Sequence, residues 1–158
     1  MSLYIVRGLP GAGKTTYARK MAQEKNCLLL EPDLFLYENG DYRYSKDRYE
    51  EAWDICLGIL DDVLDCYARN FDVIFVDVLP TLEKIKEVEY AYGDKAKQII
   101  TLEIDLGTAM RRNLHGVSEA DLREMARCFQ TIKRKSAITL DAMDELTYEK
   151  VNDLPEGW

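Results

Sequence analysis

Eight residues close to the start of this chain limit its fold more than any others. Gly8-Leu9-Pro10-Gly11-Ala12-Gly13-Lys14-Thr15 follows the pattern G-x-x-x-x-G-K-[ST]. The apolar run Leu3-Tyr4-Ile5-Val6 stands before it and reads as a short buried strand; Thr16 to Met21 after it reads as the start of a helix. Strand, glycine-rich turn and helix in that order make a loop whose backbone N–H groups turn inward around phosphate oxygens. The helix N-terminus adds partial positive charge. On this reading Gly8, Pro10, Gly11, Ala12, Gly13, Lys14, Thr15 and Thr16 cradle a nucleotide. Lys14 reaches the β- and γ-phosphates, and the Thr15 hydroxyl ligates a metal ion. The cofactors expected are ATP and Mg²⁺.

The rest of the chain alternates two hydrophobic periods. Short continuous apolar runs predict strands at about 3–7, 27–30, 73–77 and 99–104. Helices are predicted at about 14–25, over the stripe from Tyr49 to Tyr67, and over 81–92 with Thr81 as N-cap. Asn70 closes the connection after the stripe. A further helix begins at Thr108–Asn113, breaks at His115-Gly116-Val117, restarts at Ser118 and runs to about Lys135. Residues 36–46 read as a polar loop with a turn at Asn39-Gly40-Asp41, and 136–158 as a mixed, acidic stretch with a final strand or helix and a frayed end. Continuous apolar strands between helices imply a parallel sheet covered on both faces. The fold class is therefore α/β: a three-layer α/β/α P-loop NTPase fold, one domain over 1–158, with a small helical lid at about 107–128.

Composition excludes several classes. No stretch approaches the ~20 apolar residues of a membrane span, and the N-terminus lacks the long apolar run of a signal peptide. The expectation is a cytoplasmic protein with no membrane partner. Four scattered cysteines (Cys27, Cys56, Cys66, Cys128) and a lone His115 offer neither a zinc site nor a nucleophile–histidine set. A net charge of −8 argues against broad coating of nucleic acid. Residues 107–135 differ, with seven Lys/Arg against three acids. That basic element on an acidic body suits a phosphate clamp; a solvated helix face is the competing reading.

Ligands of parallel sheets sit at the carboxyl ends of the strands. Asp77, ending an apolar strand, fits a carboxylate that holds Mg²⁺ together with Thr15. Asp33, after the second strand, fits a base beside an attacking hydroxyl; a cap on the turn after Pro32 is the alternative. Arg111 and Arg112 follow the fourth strand, and adjacent helical side chains point about 100° apart, so one of the two reaches the phosphates. Arg123 and Arg127 either line the same side or pair with Glu119 and Glu124 on the surface.

Gly8 to Thr16, Asp33, Asp77, and Arg111-Arg112-Asn113-Leu114-His115-Gly116-Val117-Ser118 with Leu122, Arg123 and Met125 resemble the polynucleotide-kinase-like P-loop kinases. The closest likeness is to the branch with NEDD4-binding protein 2-like domains and bacterial and phage "ATPase" proteins. The resemblance spans about residues 3–130. It implies an adenylate-kinase-like core, ATP with Mg²⁺, phosphoryl transfer to a hydroxyl, a general base at Asp33 and a lid arginine at Arg112. The chain departs from the pattern where Leu34 follows Asp33, Leu36 stands in place of an acceptor-side arginine, Val78-Leu79-Pro80 follows Asp77 and Gly116 replaces a second lid arginine. These departures fall on the acceptor half.

The expected activity is transfer of the γ-phosphate of ATP to a hydroxyl of a nucleic acid (a 5′-OH end or a modified base) or a nucleoside, with Lys14, Asp33, Arg111 and Arg112 as catalytic candidates. Asp41, Tyr42, Arg43 and Tyr44 are candidate acceptor contacts. The alternative is a nucleotide-binding ATPase or switch without an acceptor. A nucleoside monophosphate kinase would need an arginine-lined pocket, for which residues 34–70 offer only Arg43, Arg48 and Arg69.

Overall fold

Strand β1 (Leu3–Gly8) lies in the middle of a five-stranded parallel sheet. Around it stand β2 (Cys27–Leu30), β5 (Asp72–Asp77), β6 (Gln98–Glu103) and β7 (Ala137–Asp141), in the order β2-β5-β1-β6-β7. The structure, a computed structural model, describes residues 2–65, 71–112 and 116–143. β1 runs parallel to β5 with Leu3 opposite Val73, and to β6 with Tyr4 opposite Gln98.

The alternation of side chains along the strands sorts the apolar residues onto two faces. Tyr4, Val6, Ile74, Val76, Ile100 and Leu102 pack beneath Tyr17, Ala18 and Met21 of helix α1 (Lys14–Lys25) and Leu122 of α5 (Glu119–Cys128). Leu3, Ile5, Val73, Phe75 and Ile99 face α2 (Lys46–Asp65) through Trp53, Cys56 and Leu60. On that face they also meet α3 (Leu82–Tyr92) through Ile85, Val88 and Tyr92. Burial of both faces is why these strands read as unbroken apolar runs. Thr81 caps α3, accepting from the Lys84 N–H at 3.3 Å, and α4 (Leu106–Arg111) is capped by Asp105.

Two expectations change. The helix after Ser118 ends at Cys128 and not near Lys135. Its continuation is drawn into tertiary contacts: Phe129 covers the Arg7 guanidinium at 4.0 Å, and the Gln130 N–H donates to the Pro80 carbonyl at 2.7 Å. The loop at 36–46 is partly ordered. A 3-10 turn over Pro32–Leu36 leads into a hairpin of β3 (Tyr37–Glu38) and β4 (Asp41–Tyr42), where Asn39 and Gly40 both take positive φ as a primed two-residue turn requires. Residues 137–141 form an edge strand beside β6. Tyr67, Asn70, Cys66, Arg69, Asn113, Leu114, His115 and residues 144–158 lie outside the described residues, as do the side chains of Val63 and Leu64. Among the described residues no helix is long and apolar enough to cross a membrane.

Candidate active site

At Gly8 the chain leaves β1 so close to β6 that an added Cβ would stand 2.8 Å from the Leu102 carbonyl. Gly11 and Gly13 then take φ of 87° and 83°, and α1 starts with no side chain capping its first turn. Its free N-terminal amides open onto a cleft of about 1030 Å³. Pro10, Gly11, Gly13, Lys14, Thr15 and Thr16 line this cleft, whereas Gly8 and Ala12 are buried behind the loop.

Lys14 is buried, and its Nζ donates to the Leu9 carbonyl at 3.0 Å. Burial pulls its pKa down, opposed by the charges of Asp77, Asp33 and Glu31. Asp77 ends β5 as expected and is buried in the cleft wall. It accepts from the Tyr49 hydroxyl and, at 2.8 Å, from the Val78 N–H. Burial pushes its pKa up to about 6 despite those two donors. Asp33 sits in the 3-10 turn, half-buried, and accepts from the Tyr42 hydroxyl at 3.3 Å.

The paired arginines separate. Arg112 ends α4 exposed, lines the cleft and lies 3.5 Å from the Gly11 carbonyl through Nη1. Arg111 turns instead to the Thr108 hydroxyl at 2.9 Å, within a network centred on Asp105. Arg123 and Arg127 pair with Glu119 and Glu124 at 2.7 and 2.6 Å on the exposed face of α5. The opposite wall is aromatic, built from Tyr42, Tyr44, Tyr49 and Trp53. Lys84 Nζ lies 4.6 Å over the Trp53 ring at the edge of this wall.

A family model described as an AAA domain matches residues 3–131. The chain belongs to that family. It is 30% identical to an uncharacterized protein of Pasteurella multocida over 132 residues, 78% of this chain and 74% of that protein. It is 25% identical to human NEDD4-binding protein 2 over 138 residues, 81% of this chain but only 8% of the human protein's length. Among solved structures, a sugar kinase from Janibacter superposes with a TM-score of 0.70 at 15% identity, covering 97% of this chain and 91% of that one. A gluconokinase from Sinorhizobium meliloti gives 0.67 at 13% identity, covering 98% and 94%. The Pnkp1/Rnl/Hen1 RNA repair complex gives 0.63 at 19%, covering 81% and 43%. These likenesses establish a P-loop kinase fold, and a P-loop fold implies nucleotide binding.

Two residues of this AAA domain enter the cleft unannounced. Glu31, directly after β2, is 6% exposed and accepts from the Thr15 hydroxyl at 2.6 Å. Burial raises its pKa above the usual carboxylate range. Its position at a strand exit, two residues before Asp33, was the available signal. Tyr49 belongs to the apolar stripe of α2, yet its hydroxyl reaches Asp77; nothing in the periodicity separates that tip from its buried ring. The donor set fits a magnesium–nucleotide group: a hydroxyl at Thr15, carboxylates at the ends of β2 and β5, and a buried Glu31 Oε2 with no hydrogen bond among the described residues. Mg²⁺ is held by few protein ligands and keeps waters and substrate oxygens, so these groups suffice.

Proposed function

We propose that this chain is an ATP-dependent kinase that phosphorylates a hydroxyl group, on a nucleic acid or a nucleoside. The observation that carries the reading is the placing of the phosphate loop, Asp33 and Arg112 around one cleft. Bound MgATP supplies an activated γ-phosphoryl group. Lys14 and Arg112 donate to its oxygens, where charge is spread during transfer. Thr15 and Asp77 serve the metal ion. Asp33 accepts the acceptor's hydroxyl proton as that oxygen bonds to phosphorus and the bond to ADP breaks. The exposed Tyr44 and half-buried Tyr42 of the cleft lining support an acceptor with a flat ring, because bases stack on tyrosine without sequence preference.

The test is transfer of labelled γ-phosphate to 5′-OH DNA and RNA, hydroxymethyluracil-containing DNA, nucleosides and water, with Lys14→Ala as blank. Label on an organic acceptor, lost in the variant, is the expected result. Label released only as inorganic phosphate refutes the kinase reading in favour of an ATPase or switch.

A further inference from the structure

The carboxylates at the exits of the neighbouring strands β2 and β5 are engaged differently. Asp77 uses both oxygens, one for the Tyr49 hydroxyl and one for the Val78 N–H. Glu31 uses only Oε1, which takes the Thr15 hydroxyl at 2.6 Å. Glu31 Oε2 is buried in the cleft lining with no hydrogen bond among the described residues. Buried polar atoms are almost always satisfied, so an orphaned carboxylate oxygen beside a metal-ligating hydroxyl marks a place for something that donates to it.

We propose that Glu31 is a third member of the magnesium–nucleotide site, beside Thr15 and Asp77, and the one coupled directly to the Thr15 hydroxyl. This deepens the kinase reading and rests on its nucleotide half. By accepting the Thr15 proton, Glu31 Oε1 leaves that oxygen's lone pairs for the metal ion. Oε2 is the acceptor for the ion's water shell. Tyr49 meanwhile holds Asp77 by one oxygen, so Asp77 does not compete for Thr15.

This assignment has a consequence that a packing role lacks. Glu31, Asp33 and Asp77 all act as negative charges on Lys14. Without a metal ion they oppose the phosphates; with one, Glu31 helps to hold it. Removing the Glu31 charge therefore shifts the two affinities in opposite directions.

The experiment is calorimetric titration of the whole chain with a non-hydrolysable ATP analogue, in Mg²⁺ and in EDTA. Wild type, Glu31→Gln and Glu31→Asp are compared after thermal melts confirm folding. Glu31→Gln is expected to lose about tenfold or more of the magnesium-dependent gain in affinity, with metal-free affinity equal to or above wild type. Glu31→Asp, which keeps the charge but draws the carboxylate back by one methylene, is expected to lose part of that gain while keeping wild-type metal-free affinity, and supplies the comparison if the glutamine variant does not fold. An unchanged gain in either folded variant overturns the proposal, as does a parallel fall of both affinities. The readout is binding alone, so a protein that transfers no phosphate defeats the kinase reading without touching this one.

Discussion

Replacing Arg7 by methionine removes a guanidinium that is wholly buried inside a β-strand. Its Nε donates to the Leu79 carbonyl at 2.9 Å, Nη1 to the Thr101 hydroxyl at 2.9 Å, and Nη2 to the carbonyls of Gln130 at 2.9 Å and Pro80 at 3.3 Å. Pro80 keeps the Gln130 N–H as a donor and the exposed Gln130 can bond to water, so two buried acceptors lose theirs: Leu79 and Thr101. At about 2 kcal/mol for each buried acceptor left without a donor, the loss is roughly 4 kcal/mol. Relief of the guanidinium's desolvation returns about 2–3 kcal/mol of this. That same desolvation lowers the Arg7 pKa to about 10. The net expectation is about 1–2 kcal/mol, or a fall in Tm of roughly 2–8 °C. Urea and thermal unfolding of wild type and Arg7→Met measure it, with Arg7→Lys expected in between because an ammonium cannot reproduce the fork. A methionine variant within about 0.5 kcal/mol of wild type, or more stable, would refute the reasoning: burying the charge would then cost as much as its network returns.

On the proposed reading, in which Asp33 serves the acceptor and not the nucleotide, Asp33→Asn is expected to abolish phosphoryl transfer while leaving the affinity for MgATP within about twofold; a variant that still labels the acceptor sinks its role as base. Gly11→Ala forces a side chain onto a φ of 87° and puts its Cβ 3.2 Å from the Ala109 carbonyl and 3.3 Å from Arg112 Cβ. It is expected to cost about 1–2 kcal/mol of stability and several-fold in nucleotide affinity, and an undisturbed titration would count against the tight contact between the loop and the end of α4. Burial lifts Asp77 to about 6 from an unfolded value of 3.8, so the folded state holds its proton more tightly. Stability from this residue therefore falls as pH climbs from about 4 to about 6, by up to about 3 kcal/mol. Unfolding across that range should show the slope in wild type and not in Asp77→Asn, and a difference that stays flat with pH contradicts it.

The phosphate loop was legible because its chemistry is local: eight consecutive residues carry the turn, the cradle and the helix start. The strands were legible because burial on both faces leaves unbroken apolar runs. What escaped depends on distant parts of the chain. Nothing near Cys128 ends α5; Phe129 and Gln130 leave the helix to meet Arg7 and Pro80, more than forty residues away in sequence. Sequence narrowed Arg111 and Arg112 to one cleft residue through their 100° offset, but only the packing of α4 selects Arg112. Arg123 and Arg127 took the surface pairing that i, i+3 and i, i+4 spacing allows. Glu31 resembles any acid after a strand, Tyr49 any aromatic in a stripe and Arg7 any polar residue ending one, until each finds its partner in the fold.

The central position of β1 has a consequence for how the chain is made. Leu3 pairs with Val73, and Gly8 with Leu102, so β1 has no neighbour in the sheet until some seventy residues have followed it and no second one until nearly a hundred have. At about 5–20 residues per second, roughly 4–14 s pass between the emergence of β1 and that of its first partner. An apolar segment with two unpaired edges is exposed throughout that interval. The step that completes the sheet is therefore long-range, which places this fold among the slower-forming topologies. It also leaves Leu3 to Val6 open to chaperone binding, or aggregation, throughout that interval.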